Sequence, residues 1–370
     1  MVNMDTVHAV NRDLVQRQSL VAVFAGGSGG IGALSLKALA STVGKHQGKA
    51  LRAYIIGRNT SAAQDVISEC RELCPAGQFH FIAINDYVLI KDVDAACEEL
   101  VQAEAQNAAL ANEHSRIDYL MLSHGGQLFL PRQGLFDELT IRHPGSLTLT
   151  DTAEGIDGTM ARFYYSRMAS ITKLLSLLLA SALPAIVVSV YAAGMEAKLH
   201  AGDLSLRQPS HYSYFQARSH IVYMHTCFFE ELARRHPEQM RLVHIFPGLV
   251  VHKGMYSKDN PWWLRFIFTK VLPFFGMNMN LDEVGHRMIA LASTRIYPAL
   301  PPGGIETSTK IVRGTDGVPG SGAYALNEKG ESAYPAKRYV KLDKQDLREK
   351  VWSHTNLALK QIWAGGKFEG

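Results

Sequence analysis

The residues Ala25-Gly26-Gly27-Ser28-Gly29-Gly30-Ile31-Gly32 set glycines 26, 30 and 32 in a GxxxGxG spacing between an apolar run and a helical pattern. That spacing suits the pyrophosphate of a dinucleotide. Gly26 permits a tight turn, Gly30 lets the backbone approach the phosphates, and Gly32 lets the helix pack close to the sheet with its N-terminus facing the anion. Tight strand-to-helix turns also need glycine for purely structural reasons, so the weight comes from the position directly after a first strand. At the end of the second apolar run, Gly57-Arg58-Asn59 lacks the acid that holds a ribose 2′-hydroxyl. An Arg there suits a 2′-phosphate and favours NADP(H), against the plainer reading of a solvated surface side chain. Asp86 offers a carboxylate to an adenine amino group or, as readily, a helix cap before Tyr87.

Metal chemistry has little footing. His124, His211, His220, His225, His244 and His252 form no HxH, HExxH or Cys/His cluster, and scattered histidines more often serve as hydrogen-bonded structural groups. The four cysteines include no CxxC; Cys70 and Cys74 stand at helical spacing, which fits a reduced intracellular protein. Residues 1 to 18 carry Asp5, Arg12, Asp13 and Arg17 and hold no apolar core of signal-peptide length. A cytoplasmic location is the expectation.

These residues need a scaffold, and the apolar pattern supplies one. Strands are expected at 20–25, 53–56, 79–84, 117–122, 185–190 and 242–246, with helices at 33–40, 95–111, 159–182 and 215–235 between them. Alternating strands and helices predict an α/β fold with a doubly wound parallel sheet. The chain has 370 residues, 47% hydrophobic and 19% charged, with Gly 31 and Pro 14; that composition excludes disordered, collagen-like and coiled-coil classes. A net charge of +4, spread without a basic block, gives no footing for nucleic-acid binding. Residues 1–300 read as one nucleotide-binding domain and 301–370 as a C-terminal extension packed on it. In that extension Tyr324-Ala325-Leu326 lies between turn residues as a short strand or hairpin. A stripe from Leu347 through Val351, Thr355, Leu359 and Ile362 reads as a docking helix.

The order AGGSGGIG, IIGRN, IND, LSHGG and FPGLV resembles the short-chain dehydrogenase/reductase superfamily over roughly residues 20–255. More narrowly, EGIDGTMARFYYSRM, HYSYFQARSHIVYM and TDGVPGSGAYALNEKGE are similar to fungal members linked to secondary metabolism. The resemblance implies a Rossmann fold and a cofactor set of Gly26, Ser28, Gly30, Ile31, Gly32, Arg58, Asp86, Gly125 and Val250. It also implies a catalytic Tyr, a Lys four residues later, a Ser that orients the carbonyl and an Asn that holds a water.

This chain departs from that set. Tyr212 and Tyr214 compete for the first place; helical phase favours Tyr214, from which Ile221, Met224, Phe228 and Leu232 form an apolar stripe. Four residues on stands Arg218, which stays charged and cannot pass a proton. The narrower fungal match instead aligns Tyr212-Ser213, leaving Gln216 at the Lys position. Ungapped matching of AIVVSVYAAG puts Tyr191 at the Ser position, with Ser189 two residues upstream on the same sheet face. The Asn position falls near Phe163. Two functions follow: hydride transfer on a ketone or alcohol, or a non-redox isomerisation or cyclisation on the same fold.

Residues 255–280 stand where the superfamily carries its substrate lid. The aromatic stretch 261–277 is interrupted by Pro273 and charged at Arg265 and Lys270, which argues against a transmembrane span. It reads as a buried helix, or as a cap over a lipophilic small-molecule substrate that also touches a membrane surface. The helix-rich edges of this fold often pair into homo-oligomers.

Overall fold

The computed structural model describes residues 3–125, 151–248, 250, 280–301 and 311–370. The expected lid at 255–280 lies outside these residues apart from Asn280, and so does the whole of 261–277. Helix α1 (Met4–Arg17) precedes β1 (Leu20–Ala25), α2 (Gly30–Lys45), β2 (Leu51–Gly57), α3 (Thr60–Leu73), β3 (Gln78–Ala83), α4 (Ile90–Leu110) and β4 (Tyr119–Leu122). A single turn at Gly158–Met160 and a π-helical turn at Ala161–Tyr165 lead into α5 (Ser166–Lys173) and α6 (Leu175–Leu179). Then follow β5 (Ala185–Val190), α7 (Tyr214–Arg235), β6 (Met240–Ile245), α8 (Leu281–Ala290), β7 (Ala323–Leu326), α9 (Ala336–Tyr339) and α10 (Lys344–Trp363).

The seven strands form one parallel sheet in the order β3-β2-β1-β4-β5-β6-β7. Strand β1 shows why it is buried on both faces: Val21, Val23 and Ala25 enter one core, while Leu20, Ala22 and Phe24 enter the other. Helices α4, α5, α7 and α10 cover the first face, and α1, α2, α3 and α8 the second. The order reverses between β1 and β4, and the crevice outside the carboxyl ends of these strands is the natural place for a ligand.

Two elements, the helix expected at 159–182 and α1, differ from expectation. The helix expected at 159–182 is broken: its first turns open into the π turn, and it breaks again at Leu174. Ser166, Ser170 and Thr172 each donate to the carbonyl four residues earlier, a back-bonding that competes with a straight helix. Tyr324-Ala325-Leu326 is the short strand expected, and the chain folds back after it, with Leu326 bridged antiparallel to Ser332; beyond that expectation, β7 pairs parallel with β6 and completes the sheet from within the C-terminal segment. Helix α1 had no counterpart in the sequence reading. Asn3 caps it, and Val7, Asn11 and Val15, at a spacing of four, are its buried stripe.

The four cysteines are free and buried. Among the described residues, no helix is long and apolar enough to cross a membrane, and no group of side chains could hold a metal ion.

Candidate active site

Seven of the nine residues expected to hold the dinucleotide line the carboxyl ends of β1 to β3 or open α2, and Gly125 follows β4. The loop after β1 leaves no room for a side chain at Gly26 or Gly32. A Cβ on Gly26, whose φ is +87°, would sit 2.6 Å from the His124 backbone nitrogen, and one on Gly32 would sit 2.5 Å from Ser123 Oγ and 2.7 Å from the Gly26 carbonyl. Gly30 is also left-handed, at φ +53°. Gly29, by contrast, faces open space at the N-cap of α2. The result is a glycine cradle at a helix N-terminus that carries no acid in its first turn. Ser28 overhangs the end of β2: a Cβ on Gly57 would lie 2.9 Å from its hydroxyl. Gly26→Ala is therefore expected to destabilise the fold by about 1–3 kcal/mol through backbone strain and contact with His124. Gly29→Ala changes stability little, and thermal melting of the two variants separates them.

Tyr87 secures the cradle from below. Its hydroxyl donates to the Ile56 carbonyl at 2.9 Å and accepts from the Gly26 amide at 3.1 Å. Its ring stacks on His124 at 3.9 Å and 7°. Asp86 accepts from the Val88 amide in a local turn and does not cap α4, whose N-cap is Leu89. Its carboxylate faces two guanidiniums, Arg58 at 3.9 Å and Arg162 at 4.0 Å. Val250, expected beside the nicotinamide, is buried beyond β6.

The catalytic candidates separate. Ser189, readable either as a hydroxyl aimed at substrate or as a structural group, takes the structural place: it is fully buried, receiving a bond from Arg167 Nη1 at 2.7 Å and sharing one with His225 Nε2 at 3.0 Å. Tyr212 lies elsewhere again: its hydroxyl donates at 2.7 Å to Asp157, whose other oxygen caps the turn at Gly158. What remains together is Tyr214, Arg218 and Tyr191. Ser213 caps α7 by accepting from the Gln216 amide, which starts the helix at Tyr214 and puts Arg218 one turn further on. Burial pushes the Tyr214 phenol up, and Arg218 opposes that rise. Burial raises the Tyr191 phenol as well, with Tyr214 adding to the rise and Arg218 again opposing it, so the three side chains share one locale.

The Tyr191 hydroxyl and Arg218 Nε are both buried; neither makes a well-formed hydrogen bond among the described residues, and Arg218 is close enough to act on the Tyr191 phenol as its hydrogen-bonding neighbour. Another nitrogen of Arg218, Nη2, meets Met195 Sδ at 2.8 Å. Phe163, at the expected Asn position, stacks on the Tyr191 ring at 4.8 Å and would be 3.0 Å from a Cβ on Gly125. It closes the locale with an apolar wall, as the sequence implied when it set Phe163 in place of a water-holding amide.

Beneath lies a group that the sequence reading missed. Arg167 is 1% exposed and has no acidic partner among the described residues. Its guanidinium donates to Ser189, to the Val190 carbonyl at 2.9 Å and to the His124 carbonyl at 2.8 Å, tying the ends of β4 and β5 together. Burial lowers its pKa to about 10. His225 and His244 stack at 4.5 Å beside it. Burial, with the nearby Arg167 charge adding to it, holds His225 down to about 3. His220 and His354 fall to about 4 for the same first reason, burial. Histidines kept neutral in the fold but free to protonate near 6.5 when unfolded make the unfolded chain the better proton binder. Stability is thus complete above about pH 6.5 and falls as the pH drops toward 4. Denaturant midpoints at pH 7.5 and 5.0 should show that loss, and His225→Gln should reduce it.

A separate cleft lined by Asp118, Pro184 and Arg241 opens at the amino ends of β4, β5 and β6, on the far edge of the sheet from this chemistry.

No protein-family model matches the chain. It is 35% identical over 98% of both chains to a Stachybotrys chartarum protein named short-chain dehydrogenase/reductase SAT2. It is 33% identical to the Emericella nidulans protein named oxidoreductase AN1596, over 98% of this chain and 99% of that one. Among solved structures, L-sorbose reductase from Gluconobacter frateurii, complexed with NADPH and L-sorbose, superposes with a TM-score of 0.51 at 12% identity. That match covers 86% of this chain and 98% of the reductase; at this identity the likeness is one of fold.

Proposed function

The chain belongs to the short-chain dehydrogenase/reductase family, and from that premise we propose that it is an NADP(H)-dependent oxidoreductase acting on the ketone or alcohol of a lipophilic small molecule. The setting we propose for it is fungal secondary metabolism; the two relatives reported above are from fungi. The observation that carries the reading is the pairing of a glycine cradle, closed to any Cβ at Gly26 and Gly32, with a buried cluster of Tyr214, Arg218 and Tyr191.

The cradle, Ser28, Arg58 and Asp86 would hold the dinucleotide, with Gly125 and Val250 as the residues that would serve its nicotinamide end. When bound, a reduced nicotinamide supplies a hydride, so the protein has only a proton and a charge to manage. Tyr214 gives its phenolic proton to the carbonyl oxygen. Tyr191 donates a hydrogen bond to the same oxygen, and Arg218 holds the tyrosinate left behind by charge alone. Because Arg218 keeps its protons, Tyr214 is reprotonated from water.

The pH dependence follows. Burial keeps Tyr214 protonated around neutrality, which serves reduction; oxidation needs the tyrosinate and gains rate as the pH rises. Arg218→Met removes the group that pulls the phenol down and shifts the alkaline limb of oxidation to higher pH. An unchanged pH profile in that variant would contradict the role.

A second reading, isomerisation or cyclisation, is favoured by one feature: Arg218 and Phe163 stand where the family's Lys and Asn relay protons. Incubating the protein with NADPH and a panel of lipophilic ketones separates the two. Loss of nicotinamide absorbance with product formation supports hydride transfer, and product without NADPH oxidation supports the non-redox step.

A further inference from the structure

The geometry points to Arg167 as a positioning residue for the hydride step: its buried guanidinium lies against the ring of Tyr191 and polarises the phenol that meets the reacting oxygen. This rests on the reading above, in which Tyr191 donates to that oxygen, and adds a residue that need touch neither substrate nor cofactor. Arg167 Cζ stands 5.7 Å from the centre of the Tyr191 ring and 5.9 Å from that of Phe163, which itself stacks on Tyr191. A cation over a phenol ring is held more strongly as the hydroxyl releases charge into that ring, so it makes the hydroxyl a better donor.

Hydrogen bonding accounts for the shape of this side chain but not for its charge. Arg167 donates to the Ser189 hydroxyl and to the Val190 and His124 carbonyls, all neutral acceptors that uncharged donors also satisfy. Its Nε, equally buried, has no partner among the described residues. A guanidinium buried without a counter-ion is costly, which turns attention to what the charge does. The Ile221 carbonyl can only accept, so His225 Nδ1 carries the proton in their 2.8 Å contact. The ring, held neutral by burial, then offers Nε2 to the Ser189 hydroxyl. His225 and His244 stack 6.3 and 6.4 Å from Tyr191, and burial keeps both uncharged, as it keeps Tyr214 protonated. Of the groups that face Tyr191 from α5, α7 and β6, Arg167 and Arg218 are thus the ones that carry charge at neutral pH. Burial raises the Tyr191 phenol, and both arginines oppose that rise.

The test reads the phenol itself and needs no turnover. In the full-length protein, 2,3,5-trifluorotyrosine, whose phenol is far more acidic than tyrosine's, replaces Tyr191 or, as a control, Tyr214. Its fluorine resonances are followed against pH in the parent background and in Arg167→Met and Arg167→Gln. The glutamine variant keeps a donor for the carbonyls and serves where the methionine variant does not fold. Removing the charge moves the midpoint at Tyr191 up by about one pH unit and leaves that at Tyr214 in place. Loosened packing has the opposite sign, since water admitted beside a phenol that burial had raised brings its midpoint down. A Tyr191 midpoint that stays or falls overturns the role, as does an equal rise at both tyrosines, while the oxidoreductase reading, tested by NADPH oxidation, stands. In ketone reduction, Arg167→Gln lowers kcat several-fold beside Tyr191 and nothing further in a Tyr191→Phe background; equal losses in the two backgrounds overturn the role too.

Discussion

Replacing Tyr214 with Phe lowers the rate of ketone reduction by about 10²- to 10⁴-fold, the usual contribution of a positioned general acid. The change removes one oxygen and nothing from the cradle, so NADPH affinity stays at the parent value. The informative comparison is Tyr212→Phe. Its hydroxyl donates to Asp157, which caps a helical turn, and its loss costs stability of about 1 kcal/mol with activity within about tenfold of the parent. Tyr191→Phe falls between the two, because it deletes a hydrogen bond to the reacting oxygen but no proton. Steady-state rates of the three variants rank them; a Tyr212 variant as damaged as the Tyr214 variant would return the general-acid role to the other tyrosine.

Glu104→Ala is expected to destabilise the protein by about 3 kcal/mol, since it takes the two-oxygen partner from a buried cation and leaves it only the half-buried Glu113, at 3.2 Å. Glu104 on α4 is fully buried and binds Arg52 of β2 through both oxygens, at 2.8 and 3.0 Å. It also accepts from the Tyr54 hydroxyl at 2.9 Å, which in turn accepts from Asn107. Desolvating such a pair offsets much of its attraction, so removing both charges differs from removing one. The double variant Arg52→Met/Glu104→Leu recovers most of the loss, because no charge is left buried without a partner. Denaturant unfolding of the single and double variants reads the difference, and a double variant as unstable as Glu104→Ala would contradict this account of the pair.

The parts legible in the sequence are those encoded locally. The glycine loop needs only adjacent residues to declare a tight turn and a helix start, and six strands announce themselves as short apolar runs. The phase of α7 could be read from the apolar stripe that follows Tyr214, and Ser213 caps that helix. What escaped depends on distant partners. Arg167 occurs in a stretch where nothing distinguishes a charged residue on a solvated face from one pointing inward; its role arises only when His124 and Ser189 arrive from other strands. Ser189 and Tyr191 share a face of β5 by alternation, but that pattern does not reveal that helix α7 covers the first with His225. The tail's four-residue strand was visible as a strand, whereas its parallel pairing with β6 is a property of the whole sheet.

The measurement that bears most directly on the account is a calorimetric titration of the purified, full-length protein with NADPH. Saturable binding at one site per chain, weakened by Arg58→Ala and stronger than binding of NADH, is the predicted result. Absence of heat with NADPH and with NADP⁺ alike would contradict it, leaving the glycine cradle a feature of family descent without a nucleotide to hold.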